Sequence, residues 1–214
     1  MFMKKIYVFL FLLPLISLCY GQDTIRISHK NYTTVFSKSK KYPVMVEWWV
    51  TKAKVSCVSP IPRKDKFAPD PKLPEHTNLE LDYKGSGLDR GHMAPAADNQ
   101  CQTTKEMEEC FYFSNMSPQY HSLNAGDWKT LEVFTREYAK QHDSVHVWAG
   151  NIGESKKIGR VSVPKECWKV IFIKKTNEWF AFMFYNTKDK PTGLKSHEVS
   201  KEVVEKITGF KFNK

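Results

Sequence analysis

The stretch GSGLDRGHMAPAADN, residues 85–99, places Asp89, Arg90 and His92 within four positions and frames them with Gly85, Gly87 and Gly91. Glycine lets the backbone turn sharply, so the charged cluster can be presented at a turn. A histidine of ordinary pKa, about 6.5, offers neutral imidazole as a general base near neutral pH. The guanidinium of Arg90 is a planar fork of donors suited to phosphate oxygens. Base and phosphate clamp would then be adjacent. The competing reading makes Asp89 and Arg90 a surface ion pair and His92 a packed loop histidine, and the glycine framing alone leaves the two level.

Downstream, SNMSPQYHSLNAGDWKTLEVFTRE (residues 114–137) carries the clearest helix signal. A capping residue, Asn124 or Asp127, precedes Trp128, Leu131, Phe134 and Tyr138 at helical spacing. Glu132 and Arg136 lie four apart on another face. Further out, residues 43–50 (PVMVEWWV) read as a strand, with further strand candidates at 53–58, 79–83, 107–114, 144–149, 168–174 and 179–185. Pro69, Pro71 and Pro74 make 63–74 an irregular loop, and 196–208 reads as a closing helix. Strands and helices do not alternate regularly, so the expectation is an α+β fold and not a doubly wound parallel sheet.

The chain has 214 residues, enough for one domain with a sizeable core. With 41% apolar and 26% charged residues it is neither disordered, collagenous nor a coiled coil. Lys4 and Lys5 precede an apolar run at 6–18, which reads as a secretory signal cut after Gly21. That run is shorter than the roughly 20 residues a spanning helix needs. A lipid on Cys19 is the alternative, but Leu18 is bulky before a lipidated cysteine. The expected organisation is a signal peptide over 1–21, an N-terminal arm over 22–41 and a catalytic domain over 42–214, in a secreted or periplasmic protein. The formal charge of +10 falls to +8 without the signal, so the basic excess belongs to the folded part and favours an anionic partner. Cys57, Cys101, Cys110 and Cys167 remain, and export makes two disulfides the expectation, with three pairings open and Cys101–Cys110 a reasonable pair. No CxxC or suitably spaced histidine supports zinc.

Taken together, RKDKFAPDP around Arg63, LDYKGSGLDRGHMAPAADN, FYFSNMSPQ, LNAGDWKTLE and VWAGNIG resemble the DNA/RNA non-specific endonucleases of the ββα-metal superfamily, over roughly residues 42–174. The resemblance implies a mixed sheet core carrying a ββα-metal motif. It puts the general base on His92, the metal-binding asparagine on Asn124 and the acidic residue of the metal's water shell on Glu132. Arg63, Arg90 and Arg136 fall on phosphate-handling positions, and Asn115 on a polar position that supports the site. Leu88 departs from the family, where an aromatic is common. The implied cofactor is Mg²⁺, with Mn²⁺ able to substitute, and the implied reaction is hydrolysis of DNA and RNA to 5′-phosphate products.

Taken singly, these residues have blander readings. Glu132 with Arg136 is an exposed pair worth a few tenths of a kcal/mol, Asn124 a helix cap, and Asn31 and Asn115 open glycosylation sequons. The basic charge could be a solvated lysine face with no partner. A non-catalytic nucleic-acid binder on the same fold and a phosphodiesterase of small nucleotides remain open. Biological role, oligomeric state and DNA versus RNA preference are not read from the sequence.

Overall fold

The computed structural model describes residues 23–213; the expected signal segment and its cleavage point lie outside them. Among these residues, seven antiparallel strands form one sheet, in the order β1 (Thr24–Ser28), β2 (Tyr32–Ser37), β3 (Tyr42–Thr51), β6 (Ser144–Ile152), β9 (Glu166–Ile173), β10 (Glu178–Tyr185) and β11 (Glu198–Val199). Side chains alternate between faces along a strand, and here both faces are covered, so the central strands read as continuous apolar runs. Val46, Trp48, Val50, Val145, Val147, Ile171 and Ile173 pack beneath a helix over Asp127–His142. Met45, Trp148, Trp168, Val170 and Phe172 face the other way, toward Val204 and Phe212 of the C-terminal segment.

Two small pairs lie off the sheet: β4 (Asp89–His92) with β5 (Met116–Gln119), and β7 (Lys156–Ile158) with β8 (Val161–Val163). Three helices exceed one turn: α1 (Thr104–Glu109), α2 (Asp127–His142) and α3 (Lys201–Thr208). The chain is thus α+β, as expected, and no helix among the described residues is long and apolar enough to cross a membrane.

Several local expectations are corrected. Within the expected arm over 22–41 lie β1, the edge strand, and β2, paired on both sides, with Ile27, Tyr32, Thr34 and Phe36 buried. Residues 52–55 form a helical turn instead of a strand, because β3 ends where its pairing with β6 ends, at Thr51. Residues 80–83 also form a turn: Leu79 and Tyr83, four apart, are buried while Leu81 is 81% exposed, which is helical periodicity. Residues 107–114 end α1, which Thr103 and Glu106 start with a reciprocal capping box. α2 is preceded by Gly126, and neither Asn124 nor Asp127 caps it.

The cysteines form one disulfide, Cys57–Cys101. Cys110 and Cys167 are buried free thiols. The Cys101–Cys110 pairing does not form, because Cys101 is bonded to Cys57; the Cys110 Sγ accepts from Asn99 Nδ2 and donates to the Glu106 carbonyl. Cys167 faces the core from β9, against Asn151 and Gln119.

Candidate active site

β4 is the sequence DRGH, and it is pinned at both ends. Its residues pair with β5 from Asp89↔Gln119 to His92↔Met116. A Cβ on Gly91 would lie 1.9 Å from Gln119 Oε1, so glycine permits this close pairing. At one end the His92 carbonyl accepts from Trp128 Nε1 of α2 (3.1 Å), and Met93 N donates to the Asn115 carbonyl. At the other end Asp89 Oδ2 accepts from Asn124 Nδ2 and from His121 Nδ1, each at 2.8 Å.

The His92 side chain is only 8% exposed. It stands edge-on to Phe111 (4.9 Å between centroids, 90°) and beside Phe67 (5.9 Å), and its Nε2 is buried without a partner. Burial, helped by the nearby Arg63 charge, pushes its pKa down to about 3, and Asp65 opposes this. The imidazole is therefore neutral throughout the physiological range. Phe67 and Phe111 also seat cations: Arg63 lies 5.4 Å over Phe111, and Arg90 lies 4.9 Å over Phe67 and 5.9 Å over Tyr83. His92, Arg63 and Arg90 thus share one aromatic floor. Arg63 Nε donates to Asp65 and Arg90 Nη2 to Glu80, while Arg90 Nε is buried without a partner.

Glu132 and Arg136 do not form the expected i,i+4 couple. Arg136 Nη1 donates to Asp98 Oδ1 (3.2 Å), whose other oxygen accepts from Trp48 Nε1 (2.9 Å). Half-buried Glu132 has its pKa raised, chiefly by burial and also by Asp98, against the pull of Lys169, Arg136 and Arg63. Lys169 is a fully buried cation on β9, 4.0 Å over the Trp128 ring, with its pKa lowered by burial. Glu132, Asp98, Arg136 and Lys169 thus form one buried charge cluster that Arg63 joins from the loop side.

Asn115 touches no open site. Its Oδ1 accepts from Ala94 N and its Nδ2 donates to the carbonyls of Ala94 and Cys110, all at 2.9 Å. It is a staple behind the His92 strand, and its fully buried amide cannot serve as a sequon acceptor. Asn124 is different. A carboxylate only accepts, so the bond to Asp89 engages the amide nitrogen of Asn124 and leaves its Oδ1 able to accept or to bind a cation. No group of three His, Cys, Asp or Glu that could cage a metal is found among the described residues. A single amide oxygen, backed by an acidic side chain, fits a hard cation that keeps most of its water.

Asp89, read within DRGH, and Trp128, read on the apolar face of the helix, also line the site, together with Asp98, Lys169, Phe67 and Phe111, which were not read from the sequence. These four carried no local signal, since a lysine in an apolar strand and isolated aromatics look like surface and core.

The comparisons agree with this geometry. The profile described as DNA/RNA non-specific endonuclease matches residues 16–214. Mitochondrial nuclease EXOG of Xenopus laevis is 33% identical over 204 residues, covering 85% of this chain and 56% of that protein. The chain therefore spans little more than half the length of that relative. A nuclease of Nostoc sp. is 29% identical over 207 residues, covering 89% of this chain and 73% of its own. Among solved structures, one described as the EndoG/EndoGI complex, on the mechanism of EndoG inhibition, superposes with a TM-score of 0.77 at 28% identity, covering 90% of this chain and 88% of that one.

Proposed function

Because the chain belongs to the DNA/RNA non-specific endonuclease family, we propose that it is an exported, Mg²⁺-dependent nuclease that hydrolyses DNA and RNA without sugar preference and leaves 5′-phosphate ends. The observation that carries this reading is a neutral, buried His92 on a strand tied through Asp89 to the Asn124 amide.

His92 takes a proton from water that attacks phosphorus, general-base help worth about 10²–10⁴ in rate. Its low resting pKa makes it a weak base, but the negative charge of a bound phosphodiester offsets Arg63 and raises it toward the useful range. Asn124 Oδ1 would hold Mg²⁺, which when bound neutralises charge on the phosphate and the leaving 3′ oxygen. Glu132 orients water around that position. Arg63, Arg90 and Arg136 supply positive charge where the transition state gathers negative charge. Nothing in these groups reads a base edge, and attraction to phosphate is indifferent to sequence. Export is supported by the basic and apolar start of the chain and by the Cys57–Cys101 disulfide, which persists in oxidising compartments.

The test is digestion of plasmid DNA and of RNA with Mg²⁺, with Mn²⁺ and with EDTA. Wild-type protein should cut both substrates with either metal and neither in EDTA, and His92→Ala should cut neither. Near-normal cleavage by that variant overturns the assignment, and faster hydrolysis of a dinucleotide than of long DNA would instead indicate a small-nucleotide phosphodiesterase.

A further inference from the structure

The nuclease chemistry leaves a groove of about 320 Å³ unused, lined in part by Arg26, Lys30, Asn31, Trp49, Lys54 and His146. Trp49 and His146 are register partners across β3 and β6, and their rings stack at 4.2 Å with 15° between planes. The indole is 36% exposed and the imidazole 7%. His146 therefore covers one indole face and the other is open. Three polar atoms of this lining, Asn31 Nδ2 and both ring nitrogens of His146, are buried without a hydrogen-bond partner. Such groups carry a desolvation cost that a ligand can relieve. His146 Nε2 lies 3.0 Å from Glu47, which also takes a bond from Arg26. The lining thus sets three cations, Arg26, Lys30 and Lys54, against one carboxylate.

An open aromatic face, an unsatisfied amide donor and a cationic rim are together complementary to a nucleotide. Every nucleobase has a π-face to stack on an indole, and its ring nitrogens or carbonyls accept from an amide. We propose that this groove binds one nucleotide of an unpaired nucleic-acid segment, the base on the outer face of Trp49 and its phosphate near Lys30 and Lys54. The inference rests on the nuclease reading and adds a second holding point for the substrate. Trp49 and His146 lie on the sheet face of Met45 and Trp148, away from α2, while Trp48, which also lines the groove, points to the opposite face and donates there to Asp98, the partner of Arg136. Bases in a duplex are stacked on their neighbours, so the groove selects single strands.

The experiment is fluorescence anisotropy of a labelled phosphorothioate dT20 and of a 20-base-pair duplex in EDTA, with the whole protein. Stacking on one aromatic is worth enough that Trp49→Ala should weaken dT20 binding roughly tenfold to hundredfold. Trp49→Phe should retain most of it, and duplex affinity should not change. Lys30→Glu, on an exposed turn, should weaken dT20 binding several-fold and covers the case in which Trp49→Ala does not fold. Unchanged dT20 affinity in both variants overturns the proposal, as does an equal loss for duplex. A shift from dimer to monomer in Trp49→Ala with dT20 affinity unchanged also overturns it and assigns the face to a second copy. Failure of wild-type protein to cut plasmid with Mg²⁺ would refute the nuclease reading instead, independently of these arms.

Discussion

Acidifying the protein should expose the buried state of His92. Its pKa is about 3 in the folded protein and about 6.5 in the unfolded chain. Between those values the unfolded state binds the extra proton, so stability rises with pH: the contribution is complete above pH 6.5 and is lost as pH falls toward 3. The slope for one proton is about 1.4 kcal/mol per pH unit. Between pH 7 and pH 4 wild type should lose about 3 kcal/mol through this residue alone. Other buried titrating groups, Asp70 among them, add their own slopes, so the quantity to measure is a difference. Urea denaturation of wild type and His92→Ala at half-unit steps from pH 7 to pH 4 isolates it. The variant pays a cavity cost at pH 7, and the gap between the two proteins should close by about 3 kcal/mol at pH 4. The same burial keeps the acid limb of kcat/KM, which reports the free enzyme, well below pH 6.5. A pH-independent stability gap, or an acid limb near 6.5, would refute a buried, neutral His92.

Asp89→Ala removes the partner that engages the Asn124 amide nitrogen; the Mg²⁺ concentration for half-maximal plasmid cleavage should rise about 10- to 100-fold, with an unchanged thermal melt. Asn115→Ala orphans one buried amide and two carbonyls and should cost about 3 kcal/mol or more by urea denaturation; a cost under about 1 kcal/mol would contradict its role as a staple. The disulfide closes a loop with a sequence separation of 44 residues, so Cys57→Ser should lower stability by up to about 4 kcal/mol from chain entropy. Denatured wild-type protein lacking residues 1–21 should show two reactive thiols before reduction, Cys110 and Cys167, and four after it. Phe111→Ala opens one side of His92 and should move the acid limb of kcat/KM upward, toward the ordinary histidine range.

The sequence carried the family and the order of its motifs further than the local structure. DRGH, Asn124 and Glu132 stand in fixed order around a strand and a helix, and that order survives whatever the loops do. The short elements were misread because their length is below a useful period: LELDY is five residues, and only the exposure of Leu81 tells a helical turn from a strand. Residues 22–41 looked like an arm because β1 at the sheet edge and β2 beside it carry many polar residues and so have weak hydrophobic contrast. Lys169 was invisible for the opposite reason. It sits in an apolar strand between Cys167 and Ile171 on the helix-facing side, where pattern alone predicts a hydrophobic residue, and only the carboxylates of Glu132 and Asp98 across the layer explain a charge there.

The same two aromatics that seat His92 also govern its strength as a base. Phe67 and Phe111 remove water from the imidazole, which keeps it deprotonated at any pH the protein meets, yet a group that resists protonation is a poor acceptor. Arg63 over Phe111 deepens this by adding positive charge nearby. A phosphodiester entering between Arg63 and Arg90 cancels that charge and lends its own, so proton affinity at His92 increases when there is a bond to cleave. On the proposed reading Arg63 would do more than grip the backbone: without substrate its charge adds to burial in keeping His92 unprotonated. Replacing Arg63 by a neutral residue of similar length would therefore weaken substrate binding and at the same time raise the resting pKa of His92, two effects that a purely positioning arginine would not couple.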